Sequence, residues 1–316
     1  MAEQSHADHS HAGSSETDTR RLAVALALIV AFMAAEVAAG ILAHSLALLS
    51  DAAHMLTDAG ALGLSLVVIR LAAQPAKGDL TFGLKRTEIL SAQANGATLL
   101  VLAGLIVYEG VHRLISPPQP EGTVILIVAL VGILVNLAAT WQLSKANRES
   151  MNVEGSFQHI LTDLLAFIFT AIAAVVILTT GFIRADAIAS LIVAAIMFRA
   201  AYGLLRDSGR VLLEAAPEGM SALEIGNALA QYPGVTDVHD LHVWTITSGF
   251  PSLSAHVLVR PGDDCHAIRR QLEHLLADRF QIDHTTLQVD HELKRLLTIG
   301  TRKGAGNTSA GAVYYR

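Results

Sequence analysis

Six long stretches poor in charge constrain this chain before anything else does: 22–43, 46–70, 89–111, 123–143, 157–180 and 183–205. A helix needs about 20 apolar residues to cross the hydrocarbon core, and in lipid every backbone polar group must be satisfied within its own segment. Each stretch is therefore expected to be a transmembrane helix. Composition agrees: 52% of the 316 residues are hydrophobic and only 16% charged, where soluble domains carry about 25% charged residues. The cations around the stretches are unevenly placed. Arg20, Arg21, Arg70, Lys77, Lys85, Arg86, Lys145, Arg148, Arg206 and Arg210 flank one side, and only Arg113 and Arg184 the other. An even number of crossings with that bias predicts an integral, multi-pass protein of a plasma or inner membrane with both termini cytoplasmic.

Within this frame the second stretch is unusual, because it carries Asp51, His54 and Asp58. A charged side chain at the bilayer centre costs at least about 2.5–3.5 kcal/mol, so ionisable residues there are functional candidates. His54 and Asp58 are four residues apart, on one helix face and about 6 Å apart along the axis. The same spacing recurs at His159 and Asp163, early in the fifth stretch. Two imidazoles and two carboxylates suffice for one tetrahedral divalent cation. Each pair alone could be an ordinary interhelical hydrogen bond, but one metal site explains both pairs at once. Glu36, Asn95, Glu109 and Asn136 also interrupt apolar runs. The two asparagines read best as hydrogen bonds between helices, while Glu36, Glu109 and Asp51 stay open. Gly60, Gly63, Gly96 and Gly104 are expected to permit close helix approach.

The remaining chain divides by composition. Residues 1–19 are polar, contain His6, His9 and His11, and lack the apolar core of a signal peptide, so they read as a disordered tail. The transmembrane domain spans 20–210. Residues 211–292 are expected to form a small cytoplasmic α+β domain of order α-β-β-α-β, with a helix-covered sheet, and 293–316 a second disordered tail. Of 14 histidines, seven precede residue 160 and seven follow 238. His239, His256 and Asp290 fall in three different strands, which could bring them together, whereas His274 lies on a helix's outer face. Cys265 is the single cysteine, which excludes a disulfide framework, and a net charge of −6 gives no sign of nucleic-acid binding.

The stretches SLALLSDAAHMLTDA, FGLKRTEIL, FQHILTDLL and GVTDVHDLHVW, in this order, resemble the cation diffusion facilitator family, and most of all its bacterial zinc and cadmium exporters. The resemblance covers roughly residues 19–292. It implies a transport site of His54, Asp58, His159 and Asp163, and a cytoplasmic metal site at His239, His256, His266 and Asp290. Gln288 stands where some members carry another histidine, and residues 144–155 replace the long His-rich loop of many animal members. The resemblance also implies a homodimer in contact through soluble domains of metallochaperone-like fold, and a charge pair of Arg86 with Glu214.

The function expected from these residues is proton-coupled efflux of divalent transition-metal cations. Imidazole with carboxylate suits Zn²⁺, and also Cd²⁺ or Co²⁺, better than an all-oxygen site would. Zn²⁺ is then the transported ion and a regulatory ligand, protons are the counter-ion, and no organic cofactor is implied. Two other readings fit a zinc site between the second and fifth helices: a membrane metalloenzyme or a metal sensor. An enzyme would need a general base beside the metal, and H-E-x-x-H is absent.

Overall fold

The computed structural model describes residues 8–42, 46–117, 122–148 and 150–292. The side chains of His6, His9, His11, Asp51 and His54, and all of residues 293–316, lie outside the described set. Two compact units divide between Gly209 and Arg210.

The first unit contains helices α1 (Asp8–Leu42), α2 (Leu46–Ala72), α3 (Thr87–Ile115), α4 (Gly122–Leu143), α5 (Met151–Thr180) and α6 (Ala185–Leu212). All six are long and apolar enough to cross a membrane. α1 begins at Asp8, inside the stretch expected to be tail; no proline stops a helix from growing backward out of the apolar run. α5 begins at Met151, six residues before the apolar stretch does. Its first turn is set by Ser150, whose side chain accepts from the Val153 N–H, and it ends at Gly181 in the left-handed region (φ 71°). Arg148 binds Glu154 through two hydrogen bonds of 2.7 and 3.1 Å across that start.

Packing within the unit centres on two clusters. Leu22, Ile29, Leu62, Leu143 and Ile160 join α1, α2, α4 and α5, while Leu99, Ala103, Val193 and Met197 join α3 to α6. Leu56, Val67, Tyr108, Leu134 and Tyr202 are exposed, as expected of helices whose solvent is lipid. The expected glycines contribute less than expected. A Cβ at Gly60, Gly63 or Gly104 would meet nothing within 4 Å; Gly96 alone of the four lies against a neighbour, Leu205 of α6, at 3.0 Å. Close approach is made instead by Gly110 on Leu191, and by Gly132, where a Cβ would sit 2.5 Å from the Phe167 ring. Spacing in a helix tells which glycines share a face, not which face meets a neighbour.

The second unit has the expected order α-β-β-α-β: α7 (Ala222–Ala230), β1 (Val235–Thr245), β2 (Pro251–Val259), α8 (Cys265–Phe280) and β3 (His284–His291). The sheet order is β1-β2-β3. β1 and β2 form an antiparallel hairpin, and α8 carries the chain across so that β3 runs parallel to β2. Ile225, Leu229, Ile268, Leu272 and Leu276 of the helices close over Val238, Leu253, Val257 and Leu287 of the strands. A register jump separates His239↔His256 from His242↔Ser254, with Asp240 at φ 52° between them. This bulge keeps Leu241 in the core while His242 remains exposed.

Candidate metal centre

Two helices that run antiparallel build the centre. Ser156 Oγ lies 2.8 Å from Ser65 Oγ, and the Asn152 side-chain amide donates to the Ser65 carbonyl at 3.0 Å. These ties set α5 against α2 in one register. Two turns further along the same seam, His159 Nε2 lies 2.7 Å from Asp58 Oδ1 and 3.8 Å from Asp163 Oδ2. In this register position 54, one turn before Asp58, falls level with Asp163.

Asp58, His159 and Asp163 form a group in which one ligand atom from each lies within 4.8 Å of the others. It is the single such group of three or more among the described residues. His159 is 1% exposed, and the two carboxylates are partly open, with side-chain exposures of 14% and 23%. At 2.7 Å a proton must lie between Nε2 and the Asp58 carboxylate. That proton occupies the lone pair a metal would need, so the same atom serves proton or cation but not both. His159 Nδ1 is buried with no hydrogen-bond partner among the described residues, so the ring is oriented from its Nε2 side alone. Two carboxylates supply a charge that balances a divalent ion, and the imidazole supplies a borderline nitrogen donor.

The other intramembrane polar residues fall into plainer roles. Asn95 reaches Ser65 at 3.5 Å and Asn136 donates to the Gly132 carbonyl at 3.1 Å. Glu109 binds Arg113 at 2.9 Å, and Arg113 in turn reaches Asp186 of α6 at 3.2 Å. Glu36 is buried on α1, 4% exposed.

In the soluble unit His239 and His256 face each other across the hairpin, ring centroids 5.4 Å apart and near edge-on. Asp290 pairs in register with Leu258, two residues along from Gln288 opposite His256, and its carboxylate accepts from Gln288 at 2.8 Å. His266 sits exposed in the first turn of α8, its backbone N–H bound to Asp264. No three of His239, His256, His266 and Asp290 converge as the membrane triad does. Asp237, which the sequence reading passed over, lies 3.2 Å from His239 Nδ1. Its position two residues before His239 on a strand, hence on the same face, was the available signal.

Known proteins resemble this chain over most of its length. A family described as the cation efflux transmembrane domain matches residues 22–213, and one described as the cation efflux protein cytoplasmic domain matches 217–292. The chain is 35% identical over 90% of its length to the cadmium, cobalt and zinc/H(+)-K(+) antiporter of Bacillus velezensis, 91% of which is covered. It is 39% identical to the metal cation efflux system protein CzcD of Cupriavidus metallidurans, over 89% of each chain. It is 37% identical to the zinc transporter ZitB of Escherichia coli, over 90% of this chain and 92% of that one. The chain therefore belongs to the cation efflux family.

Proposed function

We propose that this protein exports Zn²⁺, with Cd²⁺ and Co²⁺ as further substrates, from the cytoplasm in exchange for protons. Divalent metal efflux is the activity of the family, and the family members are transporters, not enzymes. The observation that carries the finer reading is the convergence of Asp58, His159 and Asp163 inside two membrane-crossing helices. His54, one turn from Asp58 on α2, is the fourth ligand in this reading. A metal displaces the proton between His159 and Asp58, and reprotonation on the far side releases it. An unperturbed imidazole changes charge near pH 6.5, within reach of a physiological proton gradient. Alternating access then requires α2 and α5 to open the seam to each side in turn.

The uneven flanking cations support cytoplasmic termini. The matched cytoplasmic domain, whose family is named for dimer formation, supports a homodimer. The His239–His256 pair, half-buried at His239 and exposed at His256, with Asp237 beside it and His266 and Asp290 as further candidates, supports a regulatory metal site lying outside the transport path. Radiotracer uptake into inverted sealed vesicles tests the whole reading. Zn²⁺ should accumulate against its gradient only while an imposed pH gradient lasts; Zn²⁺ binding without any movement would leave a sensor or a resident metal site instead.

A further inference from the structure

A second polar cluster lies on the same α2–α5 seam, and the transport reading above does not use it. Ser65, Asn95, Asn152 and Ser156 come from α2, α3 and α5, and none is more than 2% exposed. Ser65 follows Asp58 by seven residues and Asn152 precedes His159 by seven. Each step is two helical turns, about 10 Å along the axis, so the cluster stacks directly behind the metal triad. It lies toward the end of the bundle where α2 finishes and α3 and α5 begin. The flanking cations assign that end to the cytoplasm.

The protons of this cluster can be counted. Ser156 Oγ has one proton to donate, shared between Ser65 Oγ at 2.8 Å and the Asn152 backbone carbonyl at 3.0 Å. Asn95 approaches Ser65 Oγ with its amide nitrogen, and Asn152 gives one amide proton to the Ser65 carbonyl. Asn152 Oδ1 is left buried with no donor among the described residues. One turn before Asn95 on α3, Ser91 Oγ is in the same condition. Ordinary helix–helix hydrogen bonding accounts for the amide nitrogens and hydroxyls, but it does not account for a buried carbonyl aimed at nothing.

We propose that Asn152 Oδ1, with the Ser65 and Ser156 hydroxyls, is a transit site that takes a divalent cation from water and passes it to the His/Asp centre. The proposal rests on the transport reading. Its chemistry is neutral oxygen: an amide carbonyl and two hydroxyls replace part of the hydration shell while contributing no charge. Such donors hold a borderline metal more weakly than imidazole and carboxylate do. A site on a conduction path must be attractive enough to fill and weak enough to empty. The cation thus meets hard, neutral oxygens first and the charged, nitrogen-containing set second.

Stopped-flow binding of Zn²⁺ to the purified full-length protein tests this, beside equilibrium titration of the same samples. Asn152→Leu, an apolar side chain of similar size, should slow Zn²⁺ association about tenfold by removing one oxygen from a charged partner. Dissociation should slow alongside, so that Kd stays within about threefold, because a transit site lowers the barrier in both directions. Ser156→Ala, a milder change that removes one hydroxyl and leaves the Asn152 amide bond to the Ser65 carbonyl in place, should do the same by a smaller factor and decides the matter if Asn152→Leu fails to fold. Unchanged association rates would overturn the proposal. So would a loss of equilibrium affinity with no change in association rate, since the cluster would then merely position α5. Binding rates need no flux, so a parent protein that binds Zn²⁺ but moves none would remove the transport reading and leave this comparison intact.

Discussion

His159 and His256 are the same side chain placed in opposite surroundings. His159 is 1% exposed, between two carboxylates on membrane helices; His256 is exposed on a sheet face, beside His239 and opposite Gln288. Burial in a low dielectric makes an unpaired charge costly, so the membrane triad must always be balanced by protons or a cation. Water screens the sheet pair, which can stay empty at little cost. The first arrangement forces exchange, while the second permits graded occupancy. In the proposed reading, that difference separates the transport site from the regulatory one more sharply than ligand identity does.

The comparison breaks if the membrane site tolerates loss of a carboxylate. Asp163→Ala should lower Zn²⁺ flux by more than about 100-fold, beyond the range usual for residues that only support a ligand, while the protein still inserts and purifies as the parent does. Vesicle uptake at matched protein density checks it. A smaller effect is expected from His54→Asp, which replaces a nitrogen donor with oxygen. The Cd²⁺-to-Zn²⁺ flux ratio should fall about tenfold through the hardened ligand set; a ratio equal to the parent's would exclude His54 from the metal.

Removing both sheet histidines sharpens the other side. His239→Ala with His256→Ala should leave maximal flux intact and shift the cytoplasmic Zn²⁺ concentration for half-maximal flux by about fivefold, at the low end of ordinary allosteric coupling. Flux curves that superimpose on the parent's would reduce the pair to surface residues. The smallest effect concerns the fold that carries the pair. The Ala267 backbone N–H holds the Asp264 carboxyl below its usual range at the start of α8, against an opposing effect of burial and with smaller help from the His266 N–H. A carboxyl lowered by folding stabilises the folded state above its unfolded value, about pH 3.9, and loses that contribution as pH falls through its folded value. Denaturation of a 211–292 fragment should therefore show Asp264→Ala to be destabilising at neutral pH, with the difference from the parent shrinking as pH falls below about 4. A constant difference down to strongly acid pH would mean that the cap is not ionic.

Much of this protein was legible in its residues. Six apolar runs name their own structure, because a bilayer accepts no other use for them, and an H-x-x-x-D spacing places two ligands on one helix face whatever the neighbours do. The soluble unit's strands and helices followed from periods of two and 3.6. What spacing along one helix could not state is which helices meet and at what level. Only the packed chain decided that Asp58 meets His159, that Gly132 and Gly110 and not Gly60 and Gly63 bring helices together, and that Asp237 stands beside His239. The start of α5 shows the reason most clearly. Asn152 and Ser156 read as polar residues before an apolar run, yet they are buried because Ser65 of α2 supplies their hydrogen-bonding partner there. Local sequence determines which conformations and faces a segment can offer, but burial is a property of the partner that covers it, and that partner is fixed only when the whole chain packs.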